Sequence, residues 1–223
     1  MSPSNNQQRF LRRILPPVVV LAAIAAMVWV IGRGWVCHGP GCDAASLDAH
    51  ILDWLYLHRR EWLDRPMIAA SWLGSTYVLL PLAILWALGH RADRAGRFLA
   101  PLALIGAALS VHVMKAAVAR PRPALHEALI VLPGDLSFPS AHAAQSAAFW
   151  LVLGLRGQAR GPHGLRAPLI AVATVVVLAV CTSRMYLQVH YPSDVAAGLL
   201  IGIAWVFASG RILSPRARAA ADA

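Results

Sequence analysis

Six apolar stretches, at 14–31, 66–88, 98–118, 143–155, 167–182 and 195–212, constrain this chain more tightly than any other feature. A helix needs roughly 20 largely apolar residues to cross the hydrocarbon core of a bilayer. The spacing and content of these runs predict an all-α integral membrane bundle of about six transmembrane helices. Several runs are short or carry polar residues, a pattern found where helices border a buried polar site.

The composition agrees. Only 13% of residues are charged and 58% are hydrophobic, and the mean hydropathy is +0.59. A soluble domain carries about 25% charged residues, so lipid must solvate much of this surface. The net charge of +10 raises the question of nucleic acid. The arginines, however, stand in short clusters between apolar runs, and no basic stripe has a folded soluble surface to lie on. Membrane lipids are the expected surroundings, and nucleic acid is not an expected partner.

The same arginines set an orientation. Arg9, Arg12 and Arg13 precede the first run. That run is about 18 residues, longer than the core of a cleaved signal peptide. It reads as a retained helix that also directs insertion. With the N-terminus inside, an even number of crossings puts Arg91, Arg94 and Arg97, then Arg156, Arg160 and Arg166, then Arg211, Arg216 and Arg218 on the cytoplasmic side. The positive-inside rule asks for this. The expected location is the inner (plasma) membrane, multi-pass, with both termini cytoplasmic. Segments 32–65, 115–142 and 183–194 then face outward, to the periplasm or exterior. Arg33, Arg59, Arg60 and Arg65 depart from the rule. Residues 47–62 alternate apolar and charged side chains at helical spacing, which suits a helix lying on the membrane surface.

Cys37 and Cys42 flank His38-Gly39-Pro40-Gly41. The pair suits a disulfide in an oxidising compartment, or a metal site that lacks a fourth ligand; spacing leaves both open. Cys181 lies inside an apolar run and reads as a packing residue. With no internal repeat, the chain is expected to form one domain, 1–223, with its motif-bearing core at 98–212.

Three polar clusters carry chemistry. Lys115 sits near the end of an apolar run and is followed by Arg120-Pro121-Arg122-Pro123. The prolines end the helix, so an ammonium and a guanidinium flank one helix end. Taken alone, this fits snorkelling as well as an anion site. Next, Ser137-Phe138-Pro139-Ser140-Ala141-His142 reads as a helix start, where free N–H groups favour phosphate. Taken alone, Ser140 and His142 also fit a cap and an interfacial side chain. Last, Ser183 and Arg184 precede His190-Tyr191-Pro192-Ser193-Asp194. A helix beginning at Pro192 places the Asp194 carboxylate within reach of the His190 imidazole. That pairing fixes the tautomer and leaves the other ring nitrogen free to attack. All three clusters fall on one predicted face of the membrane. Together they hold the cations, nucleophile and acid that phosphoryl transfer needs.

The order Lys115-x6-Arg122-Pro123, Pro139-Ser140-Ala141-His142, Ser183-Arg184-x5-His190-x3-Asp194 resembles the three-part signature of the type 2 phosphatidic acid phosphatase superfamily. That superfamily includes the vanadium haloperoxidases and bacterial acid phosphatases. The resemblance covers roughly half the chain, 98–212. One departure is Ala141, where the family usually has glycine. The resemblance implies a metal-independent membrane phosphatase with no cofactor, acting on a lipid phosphate. It casts His190 as nucleophile, Asp194 as its orienting carboxylate and His142 as proton donor. Lys115, Arg122, Arg184 and Ser140 are then the phosphate-binding residues. Similar bacterial proteins act on undecaprenyl pyrophosphate, phosphatidylglycerol phosphate, phosphatidic acid or lipid A phosphate.

Two other readings are weighed: a phosphotransferase using the same histidine, and a non-catalytic transporter with an anion site. Transporters often show repeats and helices broken mid-membrane; no repeat is present here. Arg120 is expected to be an interfacial charge, with a spare phosphate contact as the alternative, and His112 a core histidine in preference to a relay. His126, Glu127 and Asp135 fall in the outer loop, where contact with a substrate headgroup is conceivable.

Overall fold

The computed structural model describes residues 5–34, 47–90, 95–132, 134–157 and 166–213. Helices form at α1 (Asn5–Gly34), α2 (Leu47–Leu57), α3 (Glu61–Trp72), α4 (Thr76–Gly89), α5 (Leu99–Val118), α6 (Ala141–Gly157), α7 (Arg166–Tyr186) and α8 (Pro192–Ile212), with a 3-10 turn at Gly96–Phe98. No strand occurs among the described residues. Cys37, Cys42, Arg91, Arg94, Arg160, Arg216 and Arg218 lie outside them, and with them the disulfide and metal readings of the first outer segment.

Every apolar run of the sequence is matched by apolar helix. Gly96–Val118, Ala167–Tyr186 and Pro192–Ile212 are long and apolar enough to cross a membrane, and Pro17–Val30 and Ala141–Leu155 are shorter apolar helices. The second run differs from a simple span. It is two helices, α3 and α4, bent by 45°. The break has a local cause. Leu73, Gly74 and Ser75 donate to the carbonyls three residues back, at 3.0–3.1 Å, which tightens the last turn of α3 into 3-10 form. Gly74 also sits where two helices converge. A Cβ there would lie 2.5 Å from a Val180 methyl and 3.1 Å from the His142 carbonyl oxygen. The bend thus presses against the start of α6 and the end of α7.

The helix expected over 47–62 is divided: α2 ends at Leu57 and α3 begins at Glu61. α2 buries Ala49 and Leu52 and leaves Leu47, Trp54 and Leu57 exposed.

α6 is the centre of the bundle, packed on α5, α7 and α8. Small residues make this possible. Gly198 and Gly202 lie one turn apart on α8, and a Cβ on either would come within 2.4 Å of the Ser140 or Ala144 carbonyl oxygen. Close backbone approach of this kind drives association in lipid, where apolar side chains gain nothing by leaving hydrocarbon. Gly106 receives the Trp205 ring, and the indole N–H donates to Ser110 Oγ at 2.9 Å. The outward faces are apolar, with Leu109, Val113, Val172, Val175 and Phe207 exposed. Such a belt is intolerable in water and ordinary in a bilayer. The chain is a membrane protein of all-α architecture.

Candidate active site

The helix end that carries Lys115 stops abruptly. Ala119 adopts the left-handed conformation (φ 55°) and its N–H closes on the Lys115 carbonyl at 2.9 Å. The chain beyond has no regular structure, and Arg120 and Arg122 reach different partners. Lys115 Nζ donates to Asp135 Oδ2 at 2.7 Å and to the Leu136 carbonyl. Arg122 donates through Nε to the Asp135 carbonyl oxygen at 3.0 Å and also to the Asp135 carboxylate. One carboxylate therefore bridges both cations. Burial alone disfavours its charge, but the hydrogen bonds from Lys115 and Arg122 hold the Asp135 carboxyl at about 2. Arg122 also donates to the Val189 carbonyl at 2.8 Å and lies 3.2 Å from His190 Nε2.

His190 occupies the turn before α8. Gln188, with φ 59°, turns the chain back there, and its amide donates to the Leu52 carbonyl at 3.1 Å. The imidazole is 1% exposed. Its Nδ1 lies 3.4 Å from Asp194 Oδ2 and 3.4 Å from Ser137 Oγ, while Ser137 itself donates to Asp194. Asp194 also receives the Tyr191 N–H at 2.9 Å. The ring thus has one nitrogen toward carboxylate and hydroxyl and the other toward guanidinium. Burial lowers the pKa of His190, Asp194 pulls it back, and Arg184 and Arg122 push it down again, leaving about 4. At neutral pH the ring carries no charge.

The N-terminus of α6 closes the opposite side. Ser140 is fully buried, its N–H donates to the Asp194 carbonyl at 2.9 Å, and its Oγ has no partner among the described residues. His142 follows in the first turn. It lines a cavity of about 450 Å³ together with Arg184 and residues of the α3–α4 bend. Arg184 is 2% exposed, donates to Ser71 Oγ, and keeps an Nε without a partner among the described residues. All seven site residues read from the sequence therefore gather at one end of the bundle. Lys115, Arg122, His190, Asp194 and Ser140 are joined by short contacts, and His142 and Arg184 share the adjoining cavity.

Some residues stand differently from expectation. Arg120 is no interfacial charge: it is 2% exposed. It donates to Asp194 Oδ1 at 2.8 Å, Ser193 Oγ at 2.8 Å and Asp48 Oδ2 at 2.9 Å, and it stacks 3.7 Å above the Tyr191 ring. Asp48, from α2, in turn accepts the Ser193 N–H at 2.9 Å. The carboxylate behind His190 is thus itself held by a buried arginine, which a second carboxylate, Asp48, holds in turn. The alternation of Arg120 and Arg122 in a proline-bounded segment hints at different partners; nothing local to Asp48 signals its part. His112 lies on the exposed face of α5, not in the core. His126 pairs with Asp53 at 2.6 Å and stacks on Tyr56 at 3.9 Å. Of the outer-loop candidates, Asp135 alone has a contact placing it in the site.

Chemically, the site offers a neutral imidazole backed by a carboxylate, a guanidinium beside its other nitrogen, and a second imidazole that lines a neighbouring cavity with Arg184. Such groups bind a tetrahedral oxyanion and can exchange a proton with its substituent. Known proteins bear on what this means. Residues 97–218 match the PAP2 superfamily. The decaprenylphosphoryl-5-phosphoribose phosphatase of Mycobacterium tuberculosis is 35% identical over 150 residues, which cover 63% of this chain and 77% of that protein. Phosphatidylglycerophosphatase B of Bacillus subtilis is 30% identical over 172 residues, covering 73% and 81%. The crystal structure of a transmembrane PAP2-type phosphatidylglycerolphosphate phosphatase from Bacillus subtilis superposes with a TM-score of 0.72 at 26% identity, over 86% of this chain and 93% of that one. Aquifex aeolicus LpxE superposes with a TM-score of 0.63 at 27% identity, over 75% and 97%. Fold, motif spacing and relatives agree: the chain belongs to the PAP2 superfamily.

Proposed function

We propose that this protein hydrolyses the phosphomonoester or diphosphate of a membrane lipid, an isoprenoid or glycerolipid phosphate, through a phosphohistidine at His190. The observation that carries the reading is the orientation of one buried ring, Nδ1 toward Asp194 and Nε2 beside Arg122. Nε2 attacks phosphorus in line with the leaving oxygen. The N–P bond forms, the P–O bond breaks, and His142 gives its proton to the departing oxygen. A water then attacks the phosphohistidine while His142 takes back a proton, and inorganic phosphate leaves. Lys115, Arg122 and Arg184, with Ser140 and the N–H groups opening α6, hold the equatorial oxygens. No step calls for a metal. The relatives named above carry out phosphatase reactions on lipid phosphates, which supports the same class here. The arginine distribution supports a site on the outer face of the inner membrane, with both termini cytoplasmic.

A phosphate-release panel over lipid mono- and diphosphates tests the reading on purified protein. Turnover is expected to survive chelator, and vanadate is expected to inhibit competitively because it mimics the transferred group. Strong dependence on added magnesium would point to a different mechanism. A phosphotransferase shares the first half-reaction; it is recognised by failure to release phosphate unless an acceptor alcohol is present.

Asp135 occupies the two cations that the substrate must use. Asp135→Asn is therefore expected to tighten vanadate binding by about three- to tenfold, a modest factor because the carboxylate is half exposed and screened. Unchanged or weaker vanadate inhibition would exclude such competition.

The depressed pKa of His190 has a measurable sign. The unfolded chain titrates near 6.5 and the folded ring at about 4, so between those values the unfolded state binds more protons. The contribution of this residue to stability is complete above about pH 6.5 and is lost as pH falls through about 4. Nitrogen-15 NMR of histidine-labelled protein, with His190 assigned by difference against His190→Gln, should show no protonation of this ring between roughly pH 5 and 8. A midpoint near 6.5 would contradict the neutral nucleophile.

A further inference from the structure

We propose that the α3–α4 bend forms a hydroxyl-lined subsite for a polyol leaving group, so that the preferred substrate carries its scissile phosphate on a glycerol or sugar unit. The proposal rests on the phosphatase reading above and concerns only the leaving-group side of the site.

The cavity beside His142 has three zones. Arg184 and His142 form its floor. Ser71, Ser75 and Thr76, from the end of α3 and the start of α4, form one wall. Trp72, Tyr77 and Val131 form an apolar rim and are largely exposed, and Ile68, Ile130 and Leu187 complete the lining with further apolar surface. His142 hands its proton to the leaving oxygen, so the group bearing that oxygen must lie in this cavity, against the wall.

The wall is polar and uncharged. Ser71 Oγ is engaged by Arg184. Thr76 donates to Gln145 Oε1 at 2.8 Å and keeps lone pairs to accept with. Ser75 is the telling residue. It stands at the N-cap of α4 and is 7% exposed, yet its side chain makes no capping bond. Its Oγ has no hydrogen-bond partner among the described residues. A serine in this position ordinarily turns its hydroxyl onto the N–H groups of its own helix, and a buried hydroxyl left alone is unfavourable. The adjacent N–H groups of Thr76 and Tyr77 belong to a first turn that has no intrahelical acceptors. A buried unpartnered hydroxyl and an open helix start therefore meet at one wall of the cavity.

Charge selects the ligand. The second phosphate of a diphosphate brings further negative charge into the cavity. Among the described lining residues the only arginine or lysine is Arg184, already committed to the transferred phosphate. A hydroxyl needs no counter-ion and pairs with neutral donors and acceptors. A polyol satisfies Ser75 while its lipid chain leaves over the apolar rim. A bare isoprenyl or diacylglycerol leaving group would bury that hydroxyl against hydrocarbon.

The test compares phosphate release by the purified full-length protein from dioctanoyl phosphatidylglycerol phosphate, dioctanoyl phosphatidic acid and farnesyl diphosphate. The kcat/KM for the glycerol-bearing probe is expected to exceed the other two by about tenfold or more. Ser75→Ala should bring that ratio toward one, and Ser75→Thr, which keeps the hydroxyl, should preserve it. Thermal midpoints of the solubilised variants report that each is folded. Equal wild-type rates, a preference for the diphosphate, or an unchanged ratio in Ser75→Ala would overturn the subsite and leave the phosphatase reading intact. Failure to release phosphate from all three probes would overturn the phosphatase reading itself.

Discussion

His190→Ala is expected to abolish phosphate release from lipid phosphates, with a fall in kcat of about 10⁴-fold or more. The reason is geometric. Nε2 of this ring is the nitrogen that faces the cationic pocket, 3.2 Å from Arg122, and among the described residues no second imidazole is backed by a buried carboxylate in the same way. The variant should still fold. Asp194 keeps the Tyr191 N–H, Ser137 and Arg120 as partners, so no buried charge is stranded. Alkaline quench of the wild type during turnover of a ³²P-labelled substrate should yield protein-bound, acid-labile phosphate, and the variant should yield none. Near-normal turnover in the variant would end the assignment.

Arg120→Met is expected to have the largest effect on stability, because it removes the one cation shared by two carboxylates in a dry interior. Breaking a buried ion pair from one side costs about 3–5 kcal/mol, since the remaining charge stays buried without compensation. Here Asp194 is fully buried and the Asp48 side chain is 15% exposed, so most of the cost falls on Asp194. Catalysis should fall as well, because Asp194 loses the contact that aims it at His190. Arg120→Lys restores charge without the fork that reaches Asp194, Ser193 and Asp48 together, and should recover only part of each loss. Adding Asp48→Asn to Arg120→Met should return some stability by removing one uncompensated carboxylate. Thermal midpoints and kcat of the solubilised proteins check all three variants. A methionine variant with wild-type melting and turnover would show the clamp to be idle.

The contrast between Arg120 and Arg122 shows how far a linear reading reaches. Both are arginines beside a proline, two positions apart. Arg122 matches a signature spacing and was legible as a site residue. Arg120 carries no spacing signal, and an arginine near a helix end usually lies at the membrane surface. Its burial becomes apparent only when Asp48, more than 70 positions earlier, and Asp194, more than 70 later, are brought to it. Asp135 behaves likewise: a carboxylate in a polar loop looks solvated until Lys115 and Arg122 close on it. The bend at Gly74 was also hidden, because an apolar run records hydrophobicity and not the three-residue hydrogen bonds that close α3 there, nor the tight fit of Gly74 against Val180 and His142.

By itself the sequence determined that the chain lives in lipid as an all-α protein, and it marked three separated motifs as candidates for phosphate chemistry. These properties are local: helix length, charge clustering and residue spacing survive in one dimension. Only the tertiary structure decided which nitrogen of His190 faces Arg122 and which faces Asp194, that Arg120 is buried against two carboxylates, and which residues line the cavity beside His142. Those are facts about distance between segments remote in sequence. In a low-dielectric interior a few ångströms separate a catalytic charge from a structural one.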